Sequence, residues 1–181
     1  MANSMVQEMH WFAMRDLKRS NALLPAYKQL TQAGMHVFTP MVTRLYNRNG
    51  KQQKCRVPFM QDLLFVHDSR CNLDPIVERI PTLQYRYKRG GAYCEPIVIP
   101  DQDMSRFIAA TQATDTPRYY TADEMTELMC GRDIRIKGGV LDGLQGKLQT
   151  IRGSKTKRLV IVLPTFMAVS VAIHDEIIEI L

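Results

Sequence analysis

Nothing in this chain is laid out to cross a membrane. No apolar run approaches the roughly 18 residues that a span requires. The start, Met1-Ala2-Asn3-Ser4-Met5-Val6-Gln7-Glu8, lacks a basic segment followed by an apolar one, so no secretory signal is expected. Cys55, Cys71, Cys94 and Cys130 are widely spread without a C-x-x-C pair, which disfavours a disulfide frame and a zinc site. The scatter predicts reduced thiols and a cytoplasmic location. Ten glycines and nine prolines in 181 residues leave no low-complexity or collagen-like scaffold. No G-K-[ST] loop, nucleophile pair or metal-ligand spacing is present, and His10, His36, His67 and His174 lie far apart. No catalytic residue, metal or cofactor is therefore expected, and the chain does not read as an enzyme.

What is present is an ordinary globular composition, 45% apolar and 23% charged, with an uneven charge. Residues 1–100 hold 14 Lys/Arg against 7 Asp/Glu, whereas residues 101–181 hold 10 against 11. A basic front half suits a polyanion or an acidic protein surface. Its bland alternative is solvation.

Residues 10–15 are apolar on both faces, as in a central strand covered on both sides. Ser20 or Asn21 can cap a helix whose stripe is Leu23, Ala26, Tyr27 and Leu30, with Pro25 in its first turn. A strand starts at His36. Residues 42–47 and 52–57 flank Asn49-Gly50, a dipeptide suited to a tight hairpin because both residues tolerate positive φ. This hairpin carries Arg44, Arg48, Lys51, Lys54 and Arg56 without one acid. Residues 63–66 read as a buried strand, Asp74-Pro75 as the start of a short helix, and Gly90-Gly91 as the turn of a second hairpin with Tyr85, Tyr87 and Tyr93 around it. Residues 101–111 read as a helix. The polar stretch 112–120, with Pro117, reads as a linker. Five short strands then follow in about 50 residues, at 133–137, 146–151, 158–163, 168–173 and 177–181, the texture of a small barrel.

The segment 132–148 runs as a strand, a turn with spaced glycines, and a second strand. Gly139, Gly143 and Gly146 would allow positive φ and close backbone approach there. This stretch resembles a KOW motif, the hallmark of the C-terminal barrel of the NusG family. The front half agrees. Trp11-Phe12-Ala13-Met14 resembles the opening W-[YF]-[AV] strand of the NusG N-terminal domain. Pro58 to Val66 is similar to its P-L-F-P-G-Y-[VL]-F-V segment, departing at Gln61-Asp62, where the family has Pro-Gly, and at Leu63, where an aromatic is common. Pro96-Ile97-Val98-Ile99-Pro100-Asp101 is similar to the lead-in to that domain's last helix. The departures and the basic hairpin look more like the specialised RfaH-like and UpxY-type paralogs, antiterminators of polysaccharide operons, than the housekeeping factor.

The resemblance implies an α+β fold. A NusG N-terminal-like antiparallel sheet flanked by helices would span about 1–115, a linker 116–124, and a five-stranded SH3-like KOW barrel 125–181. It implies a transcription elongation and antitermination factor that sits on the clamp helices of RNA polymerase and favours the closed, processive state by binding it better. Met60, Leu63 and Phe65 match the family's apolar polymerase contact. Strand alternation puts Leu63 and Phe65 on one face, Leu64 and Val66 on the other, so only one pair needs to be core. The alternative is that all are core. Arg44, Arg48, Lys51 and Lys54, with Arg15, Lys18 and Arg19 before the first helix, would touch DNA of the elongation complex. For these, solvation or protection of a sheet edge is the alternative. A ribosomal protein or another factor would meet the barrel. The rival reading is a KOW-type RNA-binding or ribosome-associated protein without polymerase contact, for which the basic turn of Arg152, Lys155, Lys157 and Arg158 speaks. In RfaH the KOW domain can refold as a helical hairpin. Here the β-branched residues of 160–162 and 169–173 predict strands.

Overall fold

The structure is a computed structural model of the chain, describing residues 8–17, 24–88, 90, 92–125, 131–150 and 153–181. Lys18, Arg19, the expected cap residues Ser20 and Asn21, Leu23, Cys130 and Arg152 lie outside the described residues. The chain forms two compact units, Met1–Asp101 and Gln102–Leu181.

In the first unit, β1 (His10–Asp16) is central. It pairs antiparallel with β5 (Leu63–Asp68), β6 (Leu83–Tyr85) and β7 (Val98–Ile99), and β2 (His36–Phe38) adds to the far edge of β5. Trp11, Phe12, Ala13 and Met14 are all buried, so β1 has no polar face over these four residues. On one side Phe12 and Met14 join Leu64, Val66, Leu83 and Tyr85 in a core roofed by two helices. Helix α1 (Ala26–Gln32) contributes Ala26 and Leu30, and α2 (Arg70–Arg79) contributes Leu73. The buried Asp16, at the end of β1, accepts the Ala26 N–H at 2.6 Å. A strand end thereby satisfies one of the donors that a helix start leaves open. Pro25 immediately precedes α1, where its missing N–H and fixed φ do no harm.

Helix α2 starts earlier than Asp74-Pro75 suggests. Ser69 is its cap, its Oγ accepting the Asn72 N–H at 3.4 Å, and Pro75 falls inside the helix. The expected Gly90 hairpin shows among the described residues as a bridge between Tyr87 and Pro96, flanked by the Lys88 N–H to the Glu95 carbonyl at 3.0 Å and the Ile97 N–H to the Arg86 carbonyl at 2.8 Å. Strands β3 (Met41–Arg48) and β4 (Lys51–Pro58) make a separate two-stranded ribbon. At its tip Asn49 and Gly50 have φ of 54° and 74°, the positive pair that a tight hairpin turn needs.

The second unit carries α3 (Asp101–Gln112) from its second residue on, with Met104, Phe107 and Ala110 buried. Then come β8 (Arg118–Thr121), β9 (Asp133–Lys137), β10 (Gln145–Thr150), β11 (Lys157–Leu163), β12 (Met167–Ile173) and β13 (Ile177–Ile180). All pairings are antiparallel, in the order β13-β9-β10-β11-β12-β8. Two expectations change here. Residues 118–121, read as linker, form β8 and pair with β12. The five-stranded barrel is instead a six-stranded sheet whose two ends, β13 and β8, do not pair with each other among the described residues. Polar Arg118 and Pro117 hid the strand, because only the partly buried Tyr119 and Tyr120 mark it as apolar.

Leu63 and Phe65, expected as an exposed pair, are 2% and 0% exposed, while Met60 is half-buried. They lie on the face of the sheet opposite Leu64 and Val66, and both faces are closed over β5. Phe65 stands across from Ala13 and Phe38, its ring 6.5 Å from that of Phe38.

Two stability effects are expected. Phe65→Ala should lower unfolding free energy by about 3–5 kcal/mol in a denaturant titration, the range for truncating a core phenylalanine. A loss under about 1 kcal/mol would mean that this face is not packed. Gly146→Ala should cost about 1–3 kcal/mol, the range for overpacking. A methyl group there would sit 2.3 Å from the Val160 carbonyl oxygen of the neighbouring strand. An unchanged midpoint would show that β10 can move away from β11 freely.

Candidate nucleic-acid interface

The β3–β4 ribbon follows from its sequence. Its strands alternate with few apolar residues, so neither face demands a second layer, and residues 43–56 are exposed. The Phe59 N–H donates to the Pro40 carbonyl at 2.8 Å and ties the base of the ribbon. The register sets Arg44 opposite Cys55, Tyr46 opposite Gln53 and Arg48 opposite Lys51. Residues directly opposite share a face. One face therefore presents Arg44, Tyr46, Arg48 and Lys51, and the other presents Leu45, Lys54 and Arg56. Along the strand, Arg44 and Arg48 are about 13 Å apart at the usual rise per residue.

The electrostatics are one-sided. Arg48 faces Lys51 directly, a like-charge pairing that weakens a ribbon. None of Arg44, Arg48, Lys51, Lys54 and Arg56 makes an ion pair among the described residues, whereas most other cations of this unit are matched. Arg70 pairs with Asp74 at 3.6 Å, Lys88 pairs with Glu95, and Arg86 Nη2 meets Asp62 Oδ2 at 2.8 Å. Burial pushes the Arg86 guanidinium below its ordinary value, and Asp62 opposes that.

The other expected contacts separate from this ribbon. Arg15 lies on β1, and its Nε donates to the same Asp62 oxygen at 3.3 Å. It belongs to the five-stranded sheet rather than to the ribbon. Met60 sits in the turn after β4, and Leu63 and Phe65 are buried as described. Of the three glycines expected in a turn, Gly139 and Gly143 lie between β9 and β10, whereas Gly146 lies inside β10 opposite Ile134 and needs no positive φ. Gly139 and Gly143 have φ of 69° and 77°, and the Gly143 N–H donates to the Ile136 carbonyl at 2.8 Å.

The described residues contain no group of three or more His, Cys, Asp or Glu that could hold a metal ion. His67 packs with Trp11 and His36 at ring separations of 5.1 and 5.7 Å, and its Nε2 lies 3.6 Å from Asp101. Cys55, Cys71 and Cys94 are free and exposed. A cleft in the second unit is lined by Asp103, Arg106, Asp133 and Lys147 among others. Its charges are matched, Arg106 with Asp103 and Lys147 Nζ with Asp133 at 2.8 Å. Tyr85 is buried, and its hydroxyl donates to Asp74 at 2.8 Å; burial and that bond push the phenol well above its ordinary value. Among the described residues no helix is long and apolar enough to cross a membrane.

One polar arrangement was hidden from sequence reasoning. Arg158, read as part of a basic turn that spoke for RNA binding, is the second residue of β11 and is buried against Ser170. The available signal was strand alternation, which aligns Arg158 with Val160 and Val162.

Comparison with known proteins gives a coherent result. No curated protein matches the chain. Among solved structures it is similar to one of NusG from Thermotoga maritima, at 12% identity and a TM-score of 0.41, over 92% of this chain and 94% of that one. A family profile described as NusG, transcription termination factor nusG, matches residues 9–108. The match takes in more than half of the chain and most of the first unit, from just before β1 into α3. The chain therefore belongs to the NusG family.

Proposed function

We propose that this protein regulates transcription elongation, acting in the cytoplasm as an antitermination factor bound to RNA polymerase. Family membership supports the polymerase partner. The observation that carries the contact with nucleic acid is the ribbon, with five exposed cations, no acid and no ion pair among the described residues. A polyanion relieves the repulsion between Arg48 and Lys51 and releases counterions from its own phosphates. Regulation of this kind makes and breaks no bond; it shifts the polymerase toward the state the factor binds better. The departures at Gln61-Asp62 and Leu63 favour a specialised, RfaH-like or UpxY-type role at a polysaccharide operon, with a ribosomal protein or other factor as a further partner of the C-terminal sheet.

Of the apolar residues assigned to the polymerase clamp helices, Met60 is the one this structure leaves partly open. Leu63 and Phe65 can join it only once the face that holds them is uncovered. Arg15 would share its charge between DNA and Asp62, which its Nε meets at 3.3 Å.

The tagged full chain should retain core RNA polymerase from a lysate. Failure to retain it, with retention of ribosomal RNA instead, would favour the rival RNA-binding reading. Replacing Arg48, Lys51 and Lys54 by Gln should weaken binding to a DNA-bearing elongation complex. The salt slope should fall by about one unit for each phosphate that is no longer neutralised. Binding to DNA-free polymerase should change little. An unchanged salt slope would remove the DNA contact and leave the ribbon a solvated element.

A further inference from the structure

The second residue of β11 is a cation that the fold buries. Arg158 is 7% exposed. Its Nε donates to Ser170 Oγ at 2.6 Å and its Nη2 to the Ser170 carbonyl oxygen at 2.7 Å. Ser170 Oγ donates in turn to Gln149 Oε1 at 3.2 Å. These partners are all neutral, and no carboxylate comes within ion-pair distance of Arg158 among the described residues. The charged group that acts on it most is another cation, Arg118; burial first and Arg118 second hold the Arg158 guanidinium below its ordinary value.

The sheet register explains why two cations meet. Arg118 on β8 stands opposite Ser170 on β12, and Ser170 stands opposite Val160 on β11. Gln149 on β10 stands opposite Arg158. Arg118, Ser170, Val160, Arg158 and Gln149 thus share one face. Arg118 is exposed and makes no ion pair among the described residues. Four other cations of this unit are matched: Lys137 and Arg135 with Glu179, Lys147 with Asp133, Arg106 with Asp103. A buried, unpaired charge is strongly destabilising, and arginine does not escape the cost by losing its proton.

We propose that Arg158 and Arg118 form a phosphate-binding site on this face of the sheet, with Ser170 and Gln149 holding the buried guanidinium in place. The geometry suits that ligand. Ser170 takes two of the fork's nitrogens, Nε and Nη2, and leaves Nη1 without a partner among the described residues. Arg118 offers a second, exposed fork from β8, on the far side of β12 from Arg158. Two guanidinium groups on one face of the sheet match the several acceptor oxygens of a phosphate, by charge-assisted hydrogen bonds that a neutral ligand does not make. The phosphate group has two sources, free phosphate or one link of a nucleic-acid backbone, and both present the same oxygens. The site does not depend on the β3–β4 ribbon or on polymerase binding.

The test uses the full chain and inorganic phosphate, against sodium chloride of equal ionic strength. Phosphate at ten times its dissociation constant should raise the thermal midpoint by about 3–6 °C over the chloride control. The variant with Arg48, Lys51 and Lys54 changed to Gln should keep this rise, which separates the site from the ribbon. Arg118→Ser, a change at an exposed position, should lose most of it, and Arg158→Lys, which keeps charge but not the fork, should lose it as well. Should Arg158→Lys fail to fold, Arg118→Ser decides. A labelled single-stranded oligonucleotide then identifies the source on the ribbon-Gln variant. Binding that phosphate displaces and Arg118→Ser abolishes assigns the site to a nucleic-acid backbone; no binding assigns it to free phosphate. A phosphate effect no larger than that of chloride, or one that survives Arg118→Ser, would overturn the proposal.

Discussion

Everything in the first unit follows from β1 having no polar side from Trp11 to Met14. A strand that is apolar on both faces must be central and must be covered twice. One cover is α1 and α2, whose Ala26, Leu30 and Leu73 close over Phe12 and Met14. The same demand passes to β5, the neighbour of β1 in the sheet, whose Leu63, Leu64, Phe65 and Val66 are all buried. The placing of Asp16 belongs to this constraint too. A carboxylate buried at the end of β1 needs donors, and the start of α1 supplies one.

That demand separates what the sequence could disclose from what it could not. Local chemistry was legible. Asn49-Gly50 specifies the ribbon because few residue pairs accept two positive φ values, and β-branched runs specify β11 and β12. Choices made by partners distant in sequence were not. Asp74-Pro75 looked like a helix start because the pair suits one, yet Ser69 caps the helix five residues earlier and Pro75 is accommodated inside it. Residues 118–121 looked like a linker because β8 gains its strand character only by pairing with Met167–Ser170. The exposure expected of Leu63 and Phe65 rested on alternation, which fixes which face a side chain takes but not whether something covers that face.

The candidate interface divides along the same line. Five cations without an acid could be counted in the sequence, but their sorting onto two faces required the register. Tyr46 is the one aromatic residue among Arg44, Arg48 and Lys51, so that face combines charge with a stacking surface, while the face with Lys54 and Arg56 carries Leu45. Arg15 and Arg86 show the contrast. Both converge on Asp62, Arg15 from the surface and Arg86 half-buried, so each meets an acid of its own unit. Arg158 makes the complementary point, since a cation counted as surface is taken into the sheet and held by neutral groups.

The strand order of the second unit has a consequence for the time course of its synthesis. Strand β8 pairs with β12, and β9 pairs with β13 as well as with β10. Both β8 and the outer edge of β9 therefore wait for partners made 40 or more residues later. At the usual pace of translation, about 5–20 residues per second, that interval is roughly 2–9 s. The first unit completes its sheet with β7, before any strand of the second has appeared. The chain thus leaves the ribosome with one finished domain and one sheet with unpaired edges for seconds. In that interval the second unit is the part a chaperone or a neighbouring nascent strand would find.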